Sequence, residues 1–218
     1  MSGYSYAFIS YQTADRAAAG ILKVALARVG ILAFLAHEDI EVSEEWRRRI
    51  LEEIRKADLF ICLLSQAYLK SSFCIQESGI AAYRDDLVVI PLSLDGTVPP
   101  GFIGNVQSAK VAADKIDIED ITPGLVKRNL EKGLHTLIQI VRTSSTYRLA
   151  EKNFDVLFPY LNRLTREQGK LLLKACVDND QVHNASRCAR DHIPKVIALF
   201  GTYGDIADVK FLEETCRI

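Results

Sequence analysis

Two six-residue runs constrain this 218-residue chain more than anything else in it: Leu59-Phe60-Ile61-Cys62-Leu63-Leu64 and Leu87-Val88-Val89-Ile90-Pro91-Leu92. Neither alternates apolar with polar residues. A strand with one wet face would alternate, so an unbroken apolar run of this length reads as a strand covered on both faces. Segments with helical spacing lie between such runs. Ala18, Ile21, Leu22, Ala25, Leu26 and Val29 recur at three- and four-residue steps between the strand candidates Tyr6–Ser10 and Ile31–Leu35. Thr13 or Asp15 can cap this helix, and Gly30 stops it. Trp46, Ile50, Leu51, Ile54 and Ala57 form a second stripe, with Ser43 as cap and Glu44 and Glu45 in the first turn, where the helix dipole favours them. Strands alternating with helices predict parallel βαβ units, hence an α/β open parallel sheet with helices on both faces.

The rest of the first part follows the same alternation. Ser65 opens a short turn to Lys70, and Ser71 or Ser72 restarts a helix over Phe73–Arg84. Asp95–Gly101 is a loop, Val106–Val111 contains a short edge strand, and Thr122-Pro123 starts a helix with proline at its first position, running to Val141. Right-handed crossovers put the loops after the strands on one edge, and ligands of such sheets bind there. Those loops are Ser10–Asp15, Ala36–Ser43, Ser65–Ser72 and Leu92–Gly101.

After the polar hinge Thr143-Ser144-Ser145-Thr146 the strand pattern is gone. Helices are expected over Phe154–Leu164, Thr165–Val177 with a Thr165/Gln168 capping box, Gln181–Arg190, Ile193–Phe200 and Asp205–Cys216. The expected division is a first domain over 1–142 and a small all-α unit over 143–218.

The formal net charge is -1, and charge is balanced on both sides of residue 142. A nucleic-acid binder carries a basic excess, so none is expected as partner. No apolar run reaches the roughly 18 residues of a membrane helix, so no membrane partner is expected either. Residues 1–6 lack the basic-then-apolar order of an export signal. The five cysteines are odd in number and dispersed, which fits reduced thiols and a cytoplasmic location.

Chemistry concentrates in Ser71-Ser72-Phe73-Cys74-Ile75-Gln76-Glu77-Ser78-Gly79-Ile80-Ala81. Phe73 and Glu77 are four apart and share a helix face. The helix is otherwise small and apolar. A carboxylate there is paired, set at a cleft or shifted in its pKa; the bland alternative is an ordinary exposed helix residue, the commoner fate of a carboxylate. Cys74 has no histidine nearby in sequence and reads as a buried thiol. Cys176, His183, Cys188 and His192 lack the close cysteine pair of a zinc site, so no metal is expected. His37 reads as an exposed loop histidine, and Arg47–Arg49 as a solvated helix face. No glycine-rich phosphate loop is present.

The ordered set of these segments resembles the TIR (Toll/interleukin-1 receptor homology) family. Tyr6-Ala7-Phe8-Ile9-Ser10-Tyr11 resembles its opening strand. Asp39-Ile40-Glu41-Val42-Ser43-Glu44-Glu45-Trp46 is similar to its loop between the second strand and helix. Ser71–Ala81 resembles the segment bearing the catalytic glutamate of NAD-consuming members, and Leu59–Ser65 and Val88–Pro91 their third and fourth strands. The resemblance spans about Tyr6 to Val141, is nearest in flavour to bacterial members, and leaves the C-terminal helices aside. It implies the TIR fold, a flavodoxin-like open parallel sheet.

By this resemblance Glu77 matches the catalytic glutamate, and Phe73 the aromatic position, usually Trp, that packs on nicotinamide. Ser10, Tyr11 and Gln12 match the loop lining the nucleotide pocket. Trp46 matches an aromatic just past the mobile loop, and Phe8 and Asp39 complete the implied substrate contacts. The family commonly has Pro-Gly where Val42-Ser43 stand. The resemblance implies an NAD+ glycohydrolase or ADP-ribosyl cyclase, with NAD+ as substrate and no resident cofactor. It also implies self-association through TIR–TIR contacts, activity rising with concentration, and a cyclic ADP-ribose-type signal read by a separate effector, or NAD depletion, in anti-phage defence. The competing expectation is a non-enzymatic scaffold working through TIR–TIR contacts. A response-regulator-like module fits poorly, because Ser10-Tyr11-Gln12 stand where an acidic cluster would follow the first strand.

Overall fold

The computed structural model describes residues 3–35 and 46–217. They form two compact units, one over Tyr4–Arg128 and one over residues 129–217 together with Gly3.

In the first unit five parallel strands, β1 (Tyr6–Ser10), β2 (Leu32–Leu35), β3 (Leu59–Leu64), β4 (Val88–Ser93) and β5 (Ala109–Lys110), lie in the order β2-β1-β3-β4-β5. The strand order reverses between β1 and β3, which makes the crevice beyond their C-terminal ends the topological switch point. Ser10 pairs in register with Cys62, so it stands at that edge. Both apolar runs are strands as expected, and β3 is buried at every position. Pro91 is tolerated in β4 because its missing N–H falls on the side facing β5, whose ladder covers only Leu92 and Ser93.

Alternation along β1 sends Phe8 and Ser10 to one face and Ala7 and Ile9 to the other. On the first face Phe8, Phe34, Phe60, Cys62 and Leu64 pack with α2 (Trp46–Lys56), α3 (Gln66–Lys70) and α4 (Ser72–Tyr83) through Ile50, Ile54, Tyr68, Cys74 and Ala81. Helices α1 (Arg16–Arg28) and α5 (Ile118–Arg128) contact each other and the sheet. Gly30 takes a φ of 77°, which ends α1 as its position predicts. Arg84 fastens the end of α4 to that of α2, donating through Nη1 to the carbonyls of Ile54 and Ala57 at 2.6 and 2.9 Å. Of the arginine run, Arg47 and Arg48 are exposed as expected, but Arg49 turns inward to Glu53 at 3.3 Å.

The helix expected over 122–141 is corrected to two. Residues 117–120 cap their own turn, Asp117 Oδ1 accepting from the Ile118 N–H and Asp120 Oδ2 from that of Asp117, so α5 starts before the proline. Pro123 sits inside α5, on its exposed side. Asn129 then caps α6 (Leu130–Arg142) by accepting from the Lys132 N–H at 3.0 Å. Helix α6 belongs to the second compact unit, whose boundary therefore lies nearer 129 than 143.

In that unit α7 (Tyr147–Leu157) begins seven residues before the expected Phe154, because Thr146 caps it; at Phe158 the chain tightens into a 3₁₀ turn containing Pro159. The capping box at Thr165 and Gln168 opens α8 (Arg166–Asp178) as predicted. The expected 181–190 helix is instead the short α9 (Asp180–His183) followed by a π turn over Cys188–His192. That turn leads into α10 (Ile193–Phe200), and α11 (Ile206–Cys216) closes the unit.

His192 is buried there, its ring 4.7 Å from that of Phe154 and 5.0 Å from that of Phe158, with Nε2 3.1 Å from Asp155 Oδ1. Burial outweighs Asp155 and lowers its pKa. Below its ordinary 6.5 the unfolded chain therefore takes up a proton that the fold resists. The helical unit is expected to lose stability as pH falls through that value. Melts at pH 7.5 and 5.5 should show this slope in the native chain and a flatter one in His192→Gln, whatever the variant does to baseline stability.

Candidate functional site

The switch point collects side chains from four elements. Ser10 ends β1, Ser65 follows β3 and caps α3 by accepting from the Tyr68 N–H at 3.1 Å, and Ser71 caps α4 by accepting from the Cys74 N–H at 3.3 Å. Two consecutive serine caps turn the chain twice within seven residues and aim one face of α4 at the end of β1. Glu77 lies on that face. It is 4% exposed, and its Oε2 accepts from Ser10 Oγ at 2.6 Å. Among the described residues Ser10 is its one hydrogen-bond partner.

Glu77 is therefore the shifted carboxylate rather than the ordinary surface one. Desolvation raises its pKa to about 7, and the Ser10 hydrogen bond restrains the rise. A second buried carboxylate on the same sheet face shows how specific this is. Glu53 on α2 meets desolvation too, but the Tyr6 hydroxyl, Lys56 and Arg49 more than offset it, and its pKa is lowered. The two buried glutamates are thus pushed to opposite sides of their ordinary value, Glu53 by its donors and cations and Glu77 by burial.

Phe73 is 44% exposed, and its ring meets that of Trp46 edge-on at 4.3 Å between centroids. The structure thus brings Trp46, at the start of α2, against Phe73, on the helix that carries Glu77. Gln12 caps the turn before α1, its Oε1 accepting from the Ala14 N–H at 2.6 Å, and Tyr11 is buried. Phe8 is not brought to the edge: it is fully buried, stacked on Phe60 at 5.6 Å, and supports the sheet beneath Ser10. Asp39 and His37 lie outside the described residues.

The rim of the edge is tied by short bonds. Ser65 Oγ donates to Asp15 at 2.6 Å, and Asp95 accepts from the backbone N–H groups of Gln66 and Thr97 at 2.9 and 3.0 Å. Sequence reading missed Tyr68, which is fully buried with its hydroxyl 2.9 Å from Ser10 Oγ. The only signal was an aromatic residue on a five-residue helix, which reads as packing. Burial pushes the Cys74 thiol up to about 11, so it stays protonated. Among the described residues no cluster of His, Cys, Asp and Glu could hold a metal; His183 Nδ1 instead contacts the Cys176 carbonyl at 2.9 Å. No helix among them is long and apolar enough to cross a membrane.

A separate groove of about 660 Å³ lies at the β4–β5 edge, lined by Val89, Ile90, Phe102, Val106, Gly124 and Lys127 among others. It does not include Glu77.

A family model described as TIR domain matches residues 7–123, just over half of the chain. The crystal structure of the TIR domain of the Toll-related receptor TRR-2 from the lower metazoan Hydra magnipapillata is similar over 57% of this chain and 93% of that one. Its identity is 22% and its TM-score 0.44. Among curated proteins none matches.

Proposed function

Because the chain belongs to the TIR domain family, we propose that it cleaves the nicotinamide–ribose bond of NAD+, with Glu77 as the catalytic residue. The observation that carries this reading is a buried carboxylate of pKa about 7 at the switch point, held by one hydroxyl and, among the described residues, neutralised by no cation. A scaffold has no need of such a group.

In the reaction the C1′–N bond breaks, its electron pair leaves with neutral nicotinamide, and positive charge develops on the ribose. The Glu77 carboxylate stabilises that charge, as a glycosidase carboxylate does, more strongly because it is shielded from water. Nicotinamide leaves without a proton, so one carboxylate suffices. Attack by water gives ADP-ribose and a proton; attack by an adenine nitrogen or ribose hydroxyl of the same molecule gives a cyclic isomer and a proton. Phe73 and Trp46 supply the aromatic wall for the nicotinamide ring. In this reading the product is a cyclic ADP-ribose-type signal for a separate effector, or NAD is depleted, in bacterial anti-phage immunity. Self-association raises turnover.

The test is incubation of the chain with NAD+ over a range of protein concentrations, with nicotinamide and the second product separated. Nicotinamide release that rises more than linearly with protein supports the reading. A folded chain that releases none at any concentration overturns it. Phe73→Ala is expected to lower kcat/KM by roughly tenfold, mostly through KM, since an aromatic contact is worth about 1 kcal/mol beyond its area. Steady-state kinetics check it.

A scaffold reading draws on a different observation. Phe102 is 86% exposed at the β4–β5 groove and Tyr83 90% exposed on α4, apolar surface that TIR–TIR contacts could cover. Loss of self-association in Phe102→Ser with nicotinamide release absent throughout would favour it.

A further inference from the structure

Behind Glu77 stand three hydroxyls from three elements: Ser10 at the end of β1, Tyr68 on α3 and Ser78 on α4. Ser10 Oγ is 2.6 Å from Glu77 Oε2 and 2.9 Å from Tyr68 Oη; Ser78 Oγ is 2.8 Å from Tyr68 Oη and 2.9 Å from the Cys74 carbonyl oxygen. Counting protons orders the chain. Ser10 has one, and it goes to the carboxylate. Its contact with Tyr68 is therefore one in which Tyr68 donates. Two other acceptors compete for the Tyr68 proton: the Cys74 carbonyl at 3.2 Å is farther, and Ser78 Oγ at 2.8 Å has a proton of its own to give to Tyr68 Oη, an order in which every contact from Ser78 through Tyr68 and Ser10 to Glu77 has one donor. Burial holds the Tyr68 phenol well above its ordinary value, so this donor does not ionise. Packing alone would not require the hydroxyl, since phenylalanine fills the same space.

We propose that Tyr68 is a positioning residue for Glu77, acting through Ser10: the chain Tyr68–Ser10–Glu77 engages Oε2 from inside the fold and leaves Oε1 to the species at the sheet edge. This rests on the reading of Glu77 as the reacting carboxylate. A serine hydroxyl left to itself turns among three rotamers and can point away from its acceptor. The Tyr68 proton occupies one lone pair of Ser10 and fixes its own proton toward Oε2, and a hydroxyl that accepts a hydrogen bond donates a stronger one. The chain thus favours the ionised form, against the burial that favours the protonated one. The titratable groups packed around it are Cys74 on α4 and Cys62 on β3, both neutral because burial raises them. No charge among the described residues competes with Ser10 in setting the proton affinity of Glu77.

The experiment is a carbon-13 NMR titration of the Glu77 carboxyl in the full chain, the resonance assigned by its loss in Glu77→Gln. Tyr68→Phe is expected to raise the midpoint by roughly half a pH unit, about threefold in proton affinity, and Ser10→Ala by about one unit. A Tyr68→Phe midpoint at or below the native one overturns the proposal. If Tyr68→Phe does not fold, 3-fluorotyrosine at position 68 keeps the shape and is a stronger donor. It must lower the midpoint, and an unchanged or raised value overturns the proposal equally. The titration reads proton affinity whether or not NAD+ is consumed, so this proposal and the enzymatic one fail separately. In an active chain the acid limb of kcat/KM moves with the midpoint.

Discussion

Glu77→Gln is expected to be inactive and more stable than the native chain at pH 8. The first half follows from the charge. Glutamine fills the same space and still accepts from Ser10, but it cannot stabilise an oxocarbenium-like ribose. The loss should be on the order of a thousandfold in kcat, the scale of removing one electrostatic group aimed at a transition state. The second half follows from linkage. Glu77 ionises at 4.5 in the unfolded chain and at about 7 in the fold. Between those values the fold holds more protons than the unfolded chain, so stability falls as pH rises through the window and the loss is complete above it. A shift of this size is on the order of 3 kcal/mol. The glutamine variant never pays that term and should melt roughly 10 °C higher at pH 8, with no gain near pH 4.5. Thermal melts at both values, set beside nicotinamide release, check the pair. A variant that is inactive and less stable at pH 8 would place Glu77 among structural carboxylates such as Glu53. The native kcat/KM should rise as pH increases through about 7 and level off above it, because the ionised form is the one that works.

The parts of this site that were readable in advance are those whose physics is local. Apolar runs covered on both faces have one reading, and the four-residue step from Phe73 to Glu77 puts both on one face of α4 wherever that helix sits. Serine caps at Ser65 and Ser71 are equally local, since a cap needs only the three residues after it. What escaped depends on contacts far apart in sequence. Tyr68 reaches Ser10 across 58 residues and acts through its hydroxyl tip while its ring behaves as core. Arg49 points inward because Glu53, one turn away, is itself buried and held by the Tyr6 hydroxyl, 47 residues away in sequence. Pro123 misled for the opposite reason. Proline at a first helical position is a sound local rule, but Asp117 and Asp120 offered an earlier cap, and a proline on the exposed side of α5 is tolerated. The 143–218 segment was legible in kind and less so in boundary, because tightening at Pro159 and widening at Cys188–His192 reset the helical phase.

The same substitution should act with opposite sign in the two compact units. Gly169→Ala in α8 is expected to destabilise the helical unit, while Gly20→Ala in α1 stabilises the first. In isolation both changes favour a helix by about 1 kcal/mol, since alanine loses less backbone freedom on folding. Gly20 has nothing within 4 Å of where a Cβ would sit, so that gain stands alone. At Gly169 a Cβ would lie 2.2 Å from Cδ1 and 2.4 Å from Cγ of Phe200. Phe200 is buried, and a ring has no flexible end to swing aside. The crossing of α8 with α10 must open, and overpacking of this kind costs about 1–3 kcal/mol, more than the propensity gain returns. Shortening the opposing side chain should separate the two terms. Gly169→Ala combined with Phe200→Leu should recover part of the loss, although Phe200→Leu alone destabilises by leaving space beside the glycine. Chemical denaturation of the four chains gives the coupling directly. Additive losses would mean that the crossing accommodates a methyl group by itself, and that Gly169 is present for some reason other than room.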